Sequence, residues 1–181
     1  ECRPMVSAAQ TEPVAMITCE GASSTTSAAV RRLSGKTSTR SSWSIWPIRQ
    51  SRLQDKFLKK YVEPILLDAA FDLLQYHRVK GDTLIIITAT NTLVTQPIAN
   101  RLGVEHLIGC EAELKDGRYT GKPEGIPSFA EGKVQRIKAW CAKHQTSLEG
   151  AVFYSDSHND LPLLREVAQA IAVDPDDLLQ L

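Results

Sequence analysis

The sequence predicts an α/β fold: a parallel sheet with flanking helices. Three observations predict it. Short apolar runs rich in β-branched residues, such as Thr83-Leu84-Ile85-Ile86-Ile87, have the continuous apolarity of strands buried on both faces. Segments with apolar residues at helical spacing stand between these runs. Strands alternating with helices at this spacing pair in parallel, because a helix is the usual crossover between parallel strands.

The elements follow in order from about residue 51. Leu53, Phe57, Leu58, Tyr61 and Val62 recur at helical spacing, and Pro64 interrupts them. Ile65, Leu66, Ala69, Phe71, Leu73 and Leu74 predict a second helix that ends near Lys80-Gly81, where glycine suits the helix stop. The strand at 83–87 comes next, then a helix over about 92–102 with Pro97 in an early turn. His106-Leu107-Ile108-Gly109 predicts a second strand. Residues 111–121 carry Asp116-Gly117 between β-prone pieces, the sign of a hairpin. Residues 130–144 are helical, with Val134, Ile137, Trp140 and Cys141 on one face. Ala151-Val152-Phe153-Tyr154 is a third strand, 161–168 a helix and Ala170-Ile171-Ala172-Val173 a fourth strand. Asp174 at an N-cap and Pro175 at the first helical position then predict a last helix.

Composition excludes several classes. The 181 residues hold 21 Lys+Arg and 21 Asp+Glu, so no charge-driven binding of nucleic acid is expected. No apolar run is long enough for a membrane span. Cys2, Cys19, Cys110 and Cys141 are far apart and form no CxxC, which points to a reducing, cytoplasmic setting rather than zinc or a disulfide frame. The balance hides an asymmetry. Residues 1–50 have six Arg or Lys against three Glu, 15 Ser or Thr, and no aspartate. That segment fits three readings: a disordered tail, an Arg- and Ser-rich transit peptide, or an out-of-frame or misjoined translation. Trp43 and Trp46 read as part of it, and Arg31-Arg32 as a solvated pair.

In parallel α/β sheets ligands sit at the carboxyl ends of the strands. Thr88-Ala89-Thr90-Asn91 follows the first strand, and Ser155-Asp156-Ser157-His158-Asn159-Asp160 the third; Lys133 opens the helix between them. Two carboxylates, a hydroxyl and an ammonium on one rim suit a phosphate bound together with a divalent cation. Mg²⁺ prefers one or two carboxylates plus water and phosphate oxygens, and a hydroxyl and a lysine stabilise the other phosphoryl oxygens. Each residue also has a plainer use. Thr88 can be a strand-end turn former, Lys133 a solvated helix residue, and Asp156 and Asp160 a cap and a first-turn charge.

The segments Ile85–Asn91, Glu131-Gly132-Lys133 and Tyr154–Leu164 resemble motifs II, III and IV of the haloacid dehalogenase superfamily, most closely its phosphoserine-phosphatase-like subfamily IB hydrolases. Asp116–Gly121 and Val173–Asp176 are similar to the C-terminal half of that subfamily, and the resemblance spans about residues 52–181. It implies a Rossmann-like sheet and hydrolysis of a small phosphorylated metabolite, phosphoserine or histidinol phosphate, with Mg²⁺ through an aspartyl-phosphate. It divides the chain into an atypical segment 1–50, disordered or misread; a helical cap remnant with its linking helix, 51–80; and the core, 81–181. Thr88 would bond the transferred phosphoryl group and Lys133 would neutralise it. Asp156 would ligate Mg²⁺, and Asp160 would hold the metal's water shell or Lys133. Asn91 and Asn159 would contact phosphate or substrate. His158 has no family role, and His77, His106 and His144 read as surface or packing residues.

The family's first motif, an apolar strand followed by Asp-x-Asp-x-Thr, is absent, because residues 1–54 contain no aspartate. The nearest apolar run is Pro13–Gly21; used as that strand, it would bring Cys19 near the nucleophile's place and Gly21 near the acid/base's. In the family this strand lies mid-sheet between those represented by 83–88 and 151–155. Either residues 13–19 fill that gap or both neighbours expose unpaired apolar edges. Ala170–Asp176 also has the form strand–Asp-x-Asp, but a helix cap accounts for it. The chain as written is expected to be inactive.

Overall fold

The computed structural model describes residues 14–17 and 46–180, with side-chain surroundings from residue 52 onward. Its sheet has six strands: β1 (Val14–Ile17), β2 (Thr83–Asn91), β3 (His106–Lys115), β4 (Arg118–Glu124), β5 (Val152–Ser155) and β6 (Gln169–Ala172). Their spatial order is β4-β3-β2-β1-β5-β6. β1 pairs in parallel with β2 on one side and β5 on the other. The gap foreseen between those two strands is therefore filled, and by residues from the 13–19 run.

The long helices are α1 (Trp46–Phe57), α2 (Asp68–Lys80), α3 (Thr92–Leu102) and α4 (Glu131–His144); a four-residue α5 (Leu161–Leu164) follows β5. The sheet separates two apolar layers. Ile85 and Ile87 of β2 face Val134, Ile137, Cys141, Leu163 and Leu164 of α4 and α5. Leu84 and Ile86 face Leu74 of α2 and Ala99 and Leu102 of α3. One strand thus feeds both layers through its alternating side chains, which is why its sequence is continuously apolar.

Local chemistry sets the boundaries. α2 ends at Gly81, whose φ of 82° is a left-handed cap conformation open to glycine. Asp116 and Gly117, at φ 50° and 70°, close the β3–β4 hairpin. β2 and β3 run on past the apolar stretches that announce them, to Asn91 and Lys115.

Three expectations need correction. Pro97 lies inside α3, not in an early turn. A proline cannot donate to the carbonyl four residues back, and the Leu93 carbonyl instead accepts from Gln54 Nε2 at 2.8 Å. The helix foreseen at 161–168 stops at Leu164, because the chain turns to enter β6 at Gln169. No helix follows β6 among the described residues. Asp174 has a left-handed backbone (φ 47°), and Asp176 is the residue that caps the closing turn, accepting from Leu179 N at 2.8 Å.

Candidate active site

Sheet register brings the candidate residues to one rim. Ile17 of β1 stands opposite Ile86 of β2 and Tyr154 of β5. Thr88 and Asp156 each lie two positions further on, one on either side of β1. They are thus at the same height, two strand spacings or about 10 Å apart. Thr88 is fully buried, and its Oγ1 accepts from Thr90 N at 3.1 Å. Cys19 and Gly21, which that run would bring to the missing motif's places, lie outside the described residues, as do Cys2, Trp43 and Arg31-Arg32.

A charged chain runs beside Asp156. Lys133 is fully buried on α4, and its Nζ donates to Asp160 Oδ1 at 2.5 Å. Ser155 Oγ donates to the other Asp160 oxygen at 2.8 Å and accepts from Ser157 N at 3.1 Å. Both Asp160 oxygens are therefore engaged inside the protein. Buried charges of this kind persist only when paired and hydrogen-bonded. Ser155 completes the pair, although the sequence reading gave it no part; a hydroxyl directly before the strand-end aspartate was the available signal.

Lys133 reaches this position through an unusual entry to α4. A Cβ on Gly132 would come far inside contact distance of the Pro127 carbonyl oxygen, so only glycine fits there. Ala130, just before the helix, holds φ 45° and ψ −121°, which is strained for a residue with a Cβ.

The two asparagines serve locally. Asn91 caps α3, its Oδ1 accepting from Leu93 N at 2.8 Å. Asn159 donates to Ser157 Oγ through its backbone N at 3.3 Å and its Nδ2 at 3.1 Å. His77 is buried away from this rim, between Asp82 (2.6 Å) and the Tyr154 hydroxyl (2.8 Å). His106 and His144 pack around Trp140, His144 stacking on it at 4.0 Å between ring centroids.

Among the described residues, no cluster of three or more His, Cys, Asp or Glu side chains is arranged to hold a metal. With Asp160 occupied, the described donor set reduces to the Asp156 carboxylate. That fits a Mg²⁺ ion keeping its waters and phosphate oxygens, and does not fit an all-protein cage. Cys110 and Cys141 form no disulfide. No helix among the described residues is long and apolar enough to cross a membrane.

A family model described as haloacid dehalogenase-like hydrolase matches residues 17–165. The chain belongs to that family. A histidinol-phosphatase of Neisseria meningitidis is 39% identical over 129 residues, 69% of this chain and 58% of that protein. A phosphoserine phosphatase of Mycobacterium tuberculosis is 31% identical over 128 residues, 71% of this chain and 42% of its own. The chain thus spans about half the length of these curated relatives. A Bordetella pertussis protein of unknown function is similar across its whole structure, with TM-score 0.76, 31% identity and coverage of 94% of this chain and 93% of its own. The family's α/β fold, a parallel sheet with flanking helices, is the one seen here.

Proposed function

We propose that the rim formed by β1, β2 and β5 is a phosphomonoester site of the family's phosphatase type, in a chain that binds phosphate but does not hydrolyse its ester. The observation that carries this reading is the buried Lys133–Asp160–Ser155 chain beside Asp156. A dry, fixed ammonium at a strand-end rim is costly to bury and suits an anion that brings its own charge.

Within this reading Thr88 Oγ1 donates to a phosphoryl oxygen and Lys133 offsets the charge of the group. Asp160 holds Lys133 rather than a metal. Asp156 holds Mg²⁺, which when bound supplies positive charge to the phosphoryl oxygens. The Asn91 and Asn159 carboxamides keep donors for the substrate's polar atoms. The substrate is a small phosphorylated metabolite, of the phosphoserine or histidinol phosphate kind that the similar proteins are named for. The helices over 51–80 are, in this reading, a remnant of the family's substrate-selecting cap. The setting is cytoplasmic, with no nucleic-acid or membrane partner.

Hydrolysis in the family needs a carboxylate that attacks phosphorus. No aspartate follows β1 before Asp55. A product without function is the second reading, favoured by that same absence.

The test uses the purified full chain. With Mg²⁺ it is expected to leave p-nitrophenyl phosphate intact and to bind vanadate in calorimetry, and Lys133→Met or Asp156→Ala should weaken that binding at least about tenfold, the scale of one charged hydrogen bond. Turnover abolished by Asp156→Ala would overturn the inactivity. Failure to bind vanadate would overturn the site.

A further inference from the structure

We infer that Asp176, in the tail after β6, is a positioning residue that clasps the turn carrying Asp156 and Asp160 and fixes the tautomer of His158. The inference rests on the phosphate-site reading for its purpose, but not for its geometry.

The tail returns to the rim by backbone bonds. Val173 N donates to the Ser155 carbonyl at 2.9 Å, and Asp176 N to the Asp156 carbonyl at 2.8 Å. The Asp176 carboxylate then reaches across the turn. Its Oδ2 accepts from His158 N at 2.9 Å and contacts His158 Nδ1 at 2.7 Å, while Oδ1 accepts from Leu179 N at 2.8 Å. One residue therefore holds the carbonyl before Ser157 and the amide after it. The buried Ser155 and Asp160 bonds hold the same turn from inside, so the short segment is gripped on both sides. The His158 amide, with its ring nitrogen next, also keeps the Asp176 carboxyl below the ordinary carboxylate range.

A carboxylate oxygen at Nδ1 requires hydrogen there. The neutral His158 ring must then carry its lone pair on Nε2, the reverse of the tautomer that an unrestrained imidazole prefers. The ring is only partly covered, with its side chain 39% exposed, so the constraint comes from Asp176 and not from burial.

The test reads the full chain by nitrogen NMR of histidine at about pH 8, where an ordinary imidazole is neutral, together with hydrogen exchange. The wild type should show His158 with hydrogen on Nδ1. Asp176→Ala should return it mainly to Nε2 and speed exchange of the amides at 157–160 about tenfold, the loss of one charge-assisted bond, while amides of β2 keep their protection. Asp176→Asn, which retains an acceptor, should restore part of both signals. An unchanged tautomer in Asp176→Ala, or acceleration spread evenly over the sheet, would overturn the clasp. Where the wild type binds vanadate with Mg²⁺, Asp176→Ala should weaken it about tenfold, and equal binding would overturn the positioning role. If the wild type fails to bind vanadate, the phosphate-site reading falls, and the tautomer and exchange results alone decide the clasp.

Discussion

Asp160 is the residue on which the rim's charge balance turns. It meets Lys133 at one oxygen and Ser155 at the other, and all of this is buried. Replacing one partner of such a pair leaves a charge without its counterpart, which costs more than the pair itself is worth. Asp160→Asn is therefore expected to lower stability in urea titration by about 3–5 kcal/mol. Adding Lys133→Met should return most of that loss, because the second change removes the stranded charge. Equal destabilisation by the single and double variants would show that the pair is not coupled. The sequence made Lys133 and Asp160 readable through motif order, but not their contact. That contact depends on α4 and the turn after β5 coming together in space, 27 residues apart in the chain.

At the scale of elements, α3 depends on a neighbour. Pro97 leaves the Leu93 carbonyl without its usual helical donor, and Gln54 of α1 supplies one. Gln54→Ala should cost about 1 kcal/mol in denaturant, the worth of one such bond, and a chain already carrying Pro97→Ala should lose less. Measuring both in a double-mutant cycle checks the assignment. The core strands were legible because apolar side chains on two faces leave a continuous run, as in β2. The closing helix was not. Asp174-Pro175 has the grammar of a helix start, but the Asp174 backbone is left-handed and Asp176 takes over the capping. β1 was legible only as a candidate, since Val14-Ala15-Met16-Ile17 is short and its segment is otherwise Ser- and Thr-rich. What marked it was the vacancy between the strands on either side.

For the whole molecule, two acids with raised pKa bear on stability at alkaline pH. Burial raises the Cys141 thiol above its ordinary 9.0. Burial first, then Tyr76 and Asp82, raise the Tyr154 hydroxyl above 10.0. Both groups hold their protons more tightly folded than unfolded. Their contribution to stability is complete below the ordinary values and is lost as pH rises through the folded ones. Melting temperature is thus expected to fall with pH once it passes about 9, and Cys141→Ala should flatten part of that slope. A profile that is level through this range would contradict the raised titration of both groups. One more property belongs to this scale. β2 and β5 share no backbone bonds, and each instead pairs with β1. Within the sheet, the strands β4, β3 and β2 are therefore joined to the strands β5 and β6 through the four residues of β1. Thr88 belongs to one group of strands and the acidic turn to the other, so their spacing within the sheet is set through Val14–Ile17.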